Sequence, residues 1–153
     1  MEHLSFSSPQ TLSTIEAFHP AAGDLDGDGD IDVLQASGNL LPQQVFLNDG
    51  TGTLDSSSAP QLLDSLQTLG IVLADLDQDG DLDLFVGERF HPFNYGRDGR
   101  GFIFQNDGTG HFKDITKEVA PDLLNAGMVT DASWFDVNND GTLDLVTAGD
   151  WQS

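Results

Sequence analysis

Three copies of one acidic motif organise this sequence. The motif reads DLDGDGDID from Asp24, DLDQDGDLD from Asp75 and DVNNDGTLD from Asp136, so that the copies start 51 and 61 residues apart. An apolar run with β-branched or aromatic residues follows each copy, and an Asn-Asp-Gly sequence comes after the first two. A repeat of about 50–60 residues predicts a fold in which small, similar units stack to share a core.

Each repeat predicts a small antiparallel sheet. The runs after the acidic motifs are short and end near glycine, and Asn-Asp-Gly between apolar residues is a strong hairpin signal. The first repeat predicts four strands, at Leu4–Pro9, Ala17–Gly23, Ile31–Ala36 and Gln44–Asn48. Helical turns are predicted only within Gln61–Thr68 and Asp122–Asn125, since no segment has a sustained 3.6-residue period.

The repeats predict a single repeat domain over residues 1–153, with units at approximately 1–52, 53–110 and 111–153. A looser motif near the N-terminus recurs from Leu54 and from Phe112, and we assign it to an outer strand that begins each unit. The third unit lacks an Asn-Asp-Gly hairpin. The sequence therefore predicts an all-β fold of three four-stranded units less about one strand.

The spacing of the acidic motif predicts three Ca²⁺ sites. Ca²⁺ takes about six to eight oxygen ligands. Positions 1, 3 and 5 of each motif offer side-chain oxygens, glycine at position 6 permits a sharp turn, position 7 offers its carbonyl, and position 9 offers a carboxylate. The predicted ligands are Asp24, Asp26, Asp28, Asp30 and Asp32; Asp75, Asp77, Asp79, Asp81 and Asp83; and Asp136, Asn138, Asp140, Thr142 and Asp144.

The charge of the chain also favours bound cations. The chain has 26 acidic and 5 basic residues, for a net charge of −21. Clustered carboxylates repel each other by about 1 kcal/mol per pair even in water, and three Ca²⁺ would reduce the net charge to about −15. Solvated acidic turns are the alternative interpretation, which three copies in register disfavour. An EF-hand fits poorly, because its Glu at position 12 is replaced by Gln35, Val86 and Thr147.

Composition argues against several functions. A chain this acidic has no basic surface for nucleic acid, and no apolar stretch approaches the roughly 20 residues that membrane insertion needs. Cysteine is absent, and the four histidines lack metal-binding spacing. The chain also lacks the pattern of a signal peptide and the common nucleophile or phosphate-loop motifs. We therefore expect no catalytic activity.

One segment, Glu88–Gly101, differs in chemistry from the rest. It contains all three arginines and the only tyrosine, and such side chains on a loop suit recognition of carbohydrate or protein. The candidate recognition residues are Arg89, Phe90, Tyr95, Arg97 and Arg100. In the alternative interpretation the aromatic residues cap the core and the arginines neutralise nearby acid. Trp134 and Phe135 are predicted to pack between neighbouring units.

The repeats resemble FG-GAP repeats, also called VCBS-type repeats. The resemblance lies in AAGDLDGDGDIDVLQASG, VLADLDQDGDLDLFVGE and SWFDVNNDGTLDLVTAGDW, and the third unit is similar to secreted proteins that combine such repeats with an ASPIC/UnbV domain. The resemblance implies a β-propeller with one Ca²⁺ per blade, bound between its first two strands. It also implies an extracellular or cell-surface location, as in integrin α-chain heads and bacterial adhesins.

Fewer than three blades make an incomplete ring with open sheet edges, which invite strand pairing with another chain. The chain is then a piece of a longer propeller, or it closes a ring with other copies, or it adds head to tail. The expected function is an extracellular calcium-binding adhesion, recognition or structural module. The alternatives are a self-assembling subunit of a filament or ring, and an accessory propeller fragment of a larger secreted protein.

Overall fold

The computed structural model of the chain describes residues 17–37, 43–55, 68–88 and 99–150, which form three antiparallel sheets. The first sheet contains β1 (Ala17–Gly23), β2 (Asp32–Ser37), β3 (Gln44–Asn48) and β4 (Leu54–Asp55). The second contains β5 (Thr68–Ala74), β6 (Asp83–Glu88), β7 (Gly101–Asn106) and β8 (Phe112–Asp114). The third contains β9 (Met128–Phe135) and β10 (Asp144–Asp150). The prediction of an all-β fold with four-stranded antiparallel units is confirmed.

Each sheet is a meander in which strands adjacent in the chain are adjacent in space. The acidic motifs connect the first two strands of each sheet, and the Asn-Asp-Gly turns connect the last two strands of the first and second sheets. In the first sheet Ala22 pairs with Val33, and Asn48 pairs with Leu54 across the turn. Short turns favour this topology because they join strands that can pair at once.

The strand predictions for the first repeat hold closely. Ala17–Gly23 and Gln44–Asn48 have the predicted bounds. The strand predicted at Ile31–Ala36 runs instead from Asp32 to Ser37. It starts one residue later because Ile31 belongs to the acidic loop, with 57% of its surface exposed. The strand predicted at Leu4–Pro9 lies outside the described residues.

The outer strands are grouped differently from the sequence-based prediction. Leu54–Asp55 pairs with β3, and Phe112–Asp114 pairs with β7. Each therefore completes the sheet that precedes it, whereas the looser motif had been assigned to the start of the following unit. The reason is local: the strand after an Asn-Asp-Gly turn folds back on the strand before it.

Within the residues that the structure describes, helical structure is limited to the link between the second and third sheets. The one-turn helix α1 covers Thr116–Val119, and a 3₁₀ turn covers Pro121–Asn125, in agreement with the turn predicted at Asp122–Asn125. The other helical turn was predicted within Gln61–Thr68. Its residues 61–67 lie outside the described part of the chain, and Thr68 is the first residue of β5. No helix in the described ranges is long and apolar enough to cross a membrane.

The second sheet lies between the other two and is covered on both faces. β1 lies against β5, and β5 lies against β9. Successive side chains of a strand point to opposite faces, so Leu84 and Val86 pack in a core shared with the first sheet, whereas Phe85 packs in a core shared with the third. All six residues of β6 are buried for this reason.

The same alternation separates Trp134 from Phe135. The Trp134 ring meets Phe85 edge to face, with the ring centroids 6.4 Å apart, and so packs between the second and third sheets as predicted. The prediction for Phe135 is wrong, because this neighbouring side chain points away from the second sheet and is 56% exposed.

Two valines test this arrangement. Val129 is fully buried against Gly87 on β6, whereas Val119 on α1 is 57% exposed. We expect Val129→Ala to lower the free energy of unfolding by about 2 kcal/mol, since it opens a cavity between the second and third sheets. Val119→Ala is the matched control and should change it by less than about 0.5 kcal/mol. Equal losses in urea unfolding experiments would contradict the packing described above.

Candidate functional site

The three acidic loops share one backbone conformation. The glycine at position 6 has a φ of 93° in Gly29, 101° in Gly80 and 90° in Gly141, a region that residues with a Cβ rarely adopt. Position 4 also has a positive φ in every copy, although it is occupied by Gly27, Gln78 and Asn139. The loops therefore turn twice in nine residues, which brings their alternate side chains together.

The carboxylate at position 1 fixes the turn. One of its oxygens accepts a hydrogen bond from the backbone N–H of the glycine at position 6 in all three loops. These bonds join Asp24 to Gly29 at 3.0 Å, Asp75 to Gly80 at 3.2 Å and Asp136 to Gly141 at 2.9 Å. The other oxygen of Asp24 accepts from Gly27 N–H at 2.8 Å, so the first residue of the loop already has backbone donors around it.

The carboxylate at position 9 ties each loop to its sheet. Asp32 is fully buried, and its two oxygens accept from the N–H groups of Leu25 and Asn48, both at 2.8 Å. Asp83 repeats this pattern with Leu76 at 3.0 Å and Asn106 at 2.9 Å. One side chain thus holds the start of the loop and the end of the strand before the Asn-Asp-Gly turn.

The third loop has half of this arrangement. Asp144 accepts from Val137 N–H at 3.0 Å, in the same way as its two counterparts. Within residues 99–150 its second oxygen has no counterpart of the Asn48 or Asn106 donor, because the third sheet has only two described strands. Within the described residues, Asp144 therefore has one of the two backbone anchors that Asp32 and Asp83 have.

Carboxylates converge in the first two loops. Oxygens of Asp24, Asp26 and Asp28 lie within 4.8 Å of one another, and so do oxygens of Asp75, Asp77 and Asp83. In the third loop, the amide of Asn138 instead donates to Asp140 at 2.9 Å. The structure thus brings together positions 1, 3 and 5 in the first loop, and positions 1, 3 and 9 in the second.

In the first two loops the side chain at position 7 lies against the neighbouring hairpin turn. A Cβ on Gly50 would lie 2.7 Å from an oxygen of Asp30, and a Cβ on Gly108 would lie 2.5 Å from one of Asp81. Both acidic side chains therefore face the Asn-Asp-Gly turn of their own sheet. This is compatible with the prediction that position 7 offers its carbonyl group.

The loops carry uncompensated negative charge. Loss of hydration raises the pKa of Asp81, and the neighbouring carboxylates of Asp79, Asp75 and Asp77 raise it further. Loss of hydration also raises the pKa of Asp26, against the opposing hydrogen bond from Asp28 N–H. In the described part of the chain the one ion pair joins Arg100 to Glu88, away from all three loops.

Contacts between sheets link the loops to one another. The side chain of Asn106 donates to the carbonyl of Leu25 in the first loop at 2.9 Å and to that of Leu82 in its own loop at 3.2 Å. Gln78 in the second loop approaches the carbonyl of Gly141 in the third, at 3.4 Å. The loops therefore form a continuous row rather than three separate turns.

The candidate recognition segment is described only at its ends. The Arg100 guanidinium lies 2.9 Å from the buried carboxylate of Glu88 and 5.1 Å from the ring centroid of Phe102. It thus anchors the base of the segment to the second sheet. Arg89, Phe90, Tyr95 and Arg97 lie outside the described residues.

Sequence reasoning missed the role of the asparagine before each Asp-Gly turn. Asn48 and Asn106 were interpreted as hairpin residues alone, yet each closes the acidic loop of its sheet through its backbone N–H. The recurrence of asparagine before Asp-Gly was the available signal, because its side-chain amide also donates to the carbonyl at position 8 of its loop, Ile31 or Leu82.

The comparison with known families agrees with the repeat pattern. The family model of the FG-GAP-like repeat matches residues 24–86 and again residues 93–147. The first match contains the first two acidic loops, and the second contains the second Asn-Asp-Gly turn and the third loop. No curated protein matches the chain.

The two asparagines provide a matched test of the link between sheets. Asn106 is 3% exposed and bonds to two carbonyls, whereas Asn48 is more exposed and its amide donates only to Ile31, at 3.1 Å. Asn106→Ala should lower the free energy of unfolding by about 3 kcal/mol, because it leaves buried carbonyls without donors, and Asn48→Ala by about 1 kcal/mol. Equal effects in chemical denaturation would refute the proposed difference.

Proposed function

Because this chain belongs to the FG-GAP-like repeat family, we propose that it is a Ca²⁺-binding, propeller-type repeat module that acts outside the cell in adhesion or recognition. The observation that carries the proposal is the convergence of three carboxylates within 4.8 Å in each of the first two loops. FG-GAP repeats are typical of extracellular proteins, which supports the location.

The donor groups of the loops suit Ca²⁺. They are all oxygens, and a hard cation of this size accepts mixed carboxylate, amide and carbonyl ligands in flexible geometry. The residues that would hold the ions are those predicted at positions 1, 3, 5, 7 and 9. A bound cation would supply positive charge that neutralises carboxylates which otherwise repel each other.

The three sites are expected to differ in affinity. Each of the first two loops has five aspartates, whereas the third replaces two of them with Asn138 and Thr142. Affinity for Ca²⁺ rises with the number of charged ligands and with the rigidity of the site. The third loop, with less charge and a single described anchor on Asp144, should bind most weakly.

Ca²⁺ binding should stabilise the fold directly, because the loops hold their geometry only in the folded chain. A ligand present at a hundred times its dissociation constant adds about 2.7 kcal/mol per site. For a chain of this size, we expect millimolar Ca²⁺ to raise the melting temperature by roughly 5 to 10 °C per tight site. Differential scanning calorimetry with Ca²⁺, Mg²⁺ or chelator tests this, and equal melting temperatures in Ca²⁺ and chelator would contradict it.

The control for this prediction is a pair of isosteric variants. Asp26→Asn removes a charge from the carboxylate cluster of the first loop, whereas Asp122→Asn removes one from the exposed 3₁₀ turn. Calorimetric titration should show weaker Ca²⁺ binding at one site in the first variant and unchanged binding in the second. Equal effects would mean that overall charge, not the cluster, governs binding.

The role we propose is recognition rather than catalysis, with carbohydrate or protein as the partner. Arg100 supports it, because its ion pair with Glu88 and its position over the Phe102 ring fix the base of the arginine-rich segment beside the second sheet. Arginine and aromatic side chains bind sugars and carboxylates through hydrogen bonds and ring faces.

A glycan array probed in Ca²⁺ tests this role. The wild-type chain should bind a subset of glycans, and the double variant Arg89→Gln and Arg97→Gln should lose most of that signal, since the substitutions remove two charged donors from the segment. Lys117→Gln removes an exposed charge from α1 and should leave binding unchanged. Retention of binding by the double variant would assign recognition to another surface.

A further inference from the structure

The side chain at position 3 is held differently in the second acidic loop than in the other two. In the first loop Asp26 accepts the backbone N–H of position 5 at 3.3 Å, and in the third loop Asn138 accepts the same N–H at 2.9 Å. In the second loop this N–H belongs to Asp79 and is donated to Asp75 at position 1, at 3.1 Å. Within the described residues, Asp77 accepts no hydrogen bond from the backbone of its own loop.

Gln105 holds Asp77 from outside the loop. The side-chain amide of Gln105, on β7, donates from Nε2 to Oδ2 of Asp77 at 2.6 Å, across 28 residues of sequence. The next residue, Asn106, donates its backbone N–H to the carboxylate of Asp83 at 2.9 Å. Two successive residues of one strand thus fix two predicted ligands of the same site, at positions 3 and 9.

The carboxylates that converge differ between the loops in a matching way. Those within 4.8 Å of one another stand at positions 1, 3 and 5 in the first loop and at positions 1, 3 and 9 in the second. Position 5 of the first loop, Asp28, is exposed, whereas Asp83 is 2% exposed and held by two backbone N–H groups. The group in the second loop therefore includes a fixed carboxylate, and Gln105 holds Asp77 beside it.

We propose that Gln105 is a positioning residue of the second Ca²⁺ site, which orients Asp77 toward Asp75 and Asp83 and makes this site the tightest of the three. This inference rests on the proposed function. A carboxylate oxygen can accept more than one bond, so the bond from Gln105 orients Asp77 and leaves it able to bind a cation. Residues that orient metal ligands typically change metal affinity by about 10- to 100-fold, and Ca²⁺ sites bind more tightly when they are more rigid.

The first sheet provides a comparison at the equivalent place. Asn48 and Asn106 both precede an Asp-Gly turn, so the counterpart of Gln105 is Leu47. Leu47 has no donor, and it packs against the core that the first and second sheets share. In the described ranges Asp26 is left with one N–H of its own loop. The first two loops each have five aspartates, so we expect their difference in affinity to come from this residue outside the motif.

A Ca²⁺ titration that resolves the three sites tests the inference. The N–H groups of Gly29, Gly80 and Gly141 bond to the carboxylate at position 1 of their own loops, so nitrogen–proton NMR of these amides follows each loop separately. Gln105→Met keeps the length of the side chain and removes the donor. We expect it to raise the dissociation constant at the second loop about ten-fold and to leave the other two loops unchanged.

Two controls separate positioning from folding. Asn125→Met exchanges an exposed amide on the 3₁₀ turn, which packs against Gly101 at the other end of β7, and should leave all three dissociation constants unchanged. In chelator, Gln105→Met should melt within about 2 °C of the wild type, because an exposed hydrogen bond adds little net stability. A larger loss of stability in chelator would indicate a structural role and overturn the inference.

A double-mutant cycle tests whether the effect passes through Asp77. The variant Asp77→Ala leaves no carboxylate for Gln105 to orient, so the addition of Gln105→Met should not weaken binding at the second loop any further. Additive losses would show that Gln105 acts by another route, and would overturn the inference.

The wild-type titration keeps this inference apart from the proposed function. If Gly80 responds to Ca²⁺ but Gln105→Met leaves its dissociation constant unchanged, the inference alone is refuted. The same holds if all three loops weaken equally, or if the first loop of the wild type binds more tightly than the second. A wild-type chain in which none of the three glycine amides responds to Ca²⁺ refutes the proposed function and this inference with it.

Discussion

The buried carboxylate at position 9 is the interaction on which the rest of this structure depends. In the first two sheets it accepts one N–H from the start of its own loop and another from the strand that precedes the Asn-Asp-Gly turn. A buried carboxylate is costly unless donors surround it. Asp32 and Asp83 have such donors only when loop and hairpin are both in place, so the two elements form together. In the first loop the carboxylates at positions 1, 3 and 5 converge within the frame that these bonds fix.

The sequence predicts the sheets well because their signals are local. Each of these signals acts within a few residues: the alternation of apolar residues, the Asn-Asp-Gly turns and the glycine at position 6. The strands Ala17–Gly23 and Gln44–Asn48 accordingly form as predicted. The grouping of outer strands was not predicted, because a motif that recurs along the chain does not show which neighbour it pairs with. Leu54 pairs backward with Asn48, a relation that only the fold reveals.

The sequence names the residues of the acidic loops, but it does not show the different contacts that each position makes. The spacing predicts oxygen donors at positions 1, 3, 5, 7 and 9, whereas the structure shows that the side chains at these positions make different contacts. The carboxylate at position 9 accepts hydrogen bonds from backbone N–H groups. The side chain at position 7 faces the hairpin in the first two loops. Those at positions 1, 3 and 5 face one another in the first loop. Such differences depend on burial and on contacts between sheets. The link from Asn106 to Leu25 spans 81 residues, beyond any local pattern.

Because both faces of β6 are covered, the three sheets should differ in the free energy needed to open them. The sheets contact each other in a row, so a one-dimensional model of coupled units applies, in which each sheet is stabilised by its own strands and by one term per shared interface. Among the described residues, the middle sheet has two such terms and each outer sheet has one. Opening should therefore begin at the outer sheets, and the amide protons that Leu84, Phe85 and Val86 carry should be among the last to exchange with solvent.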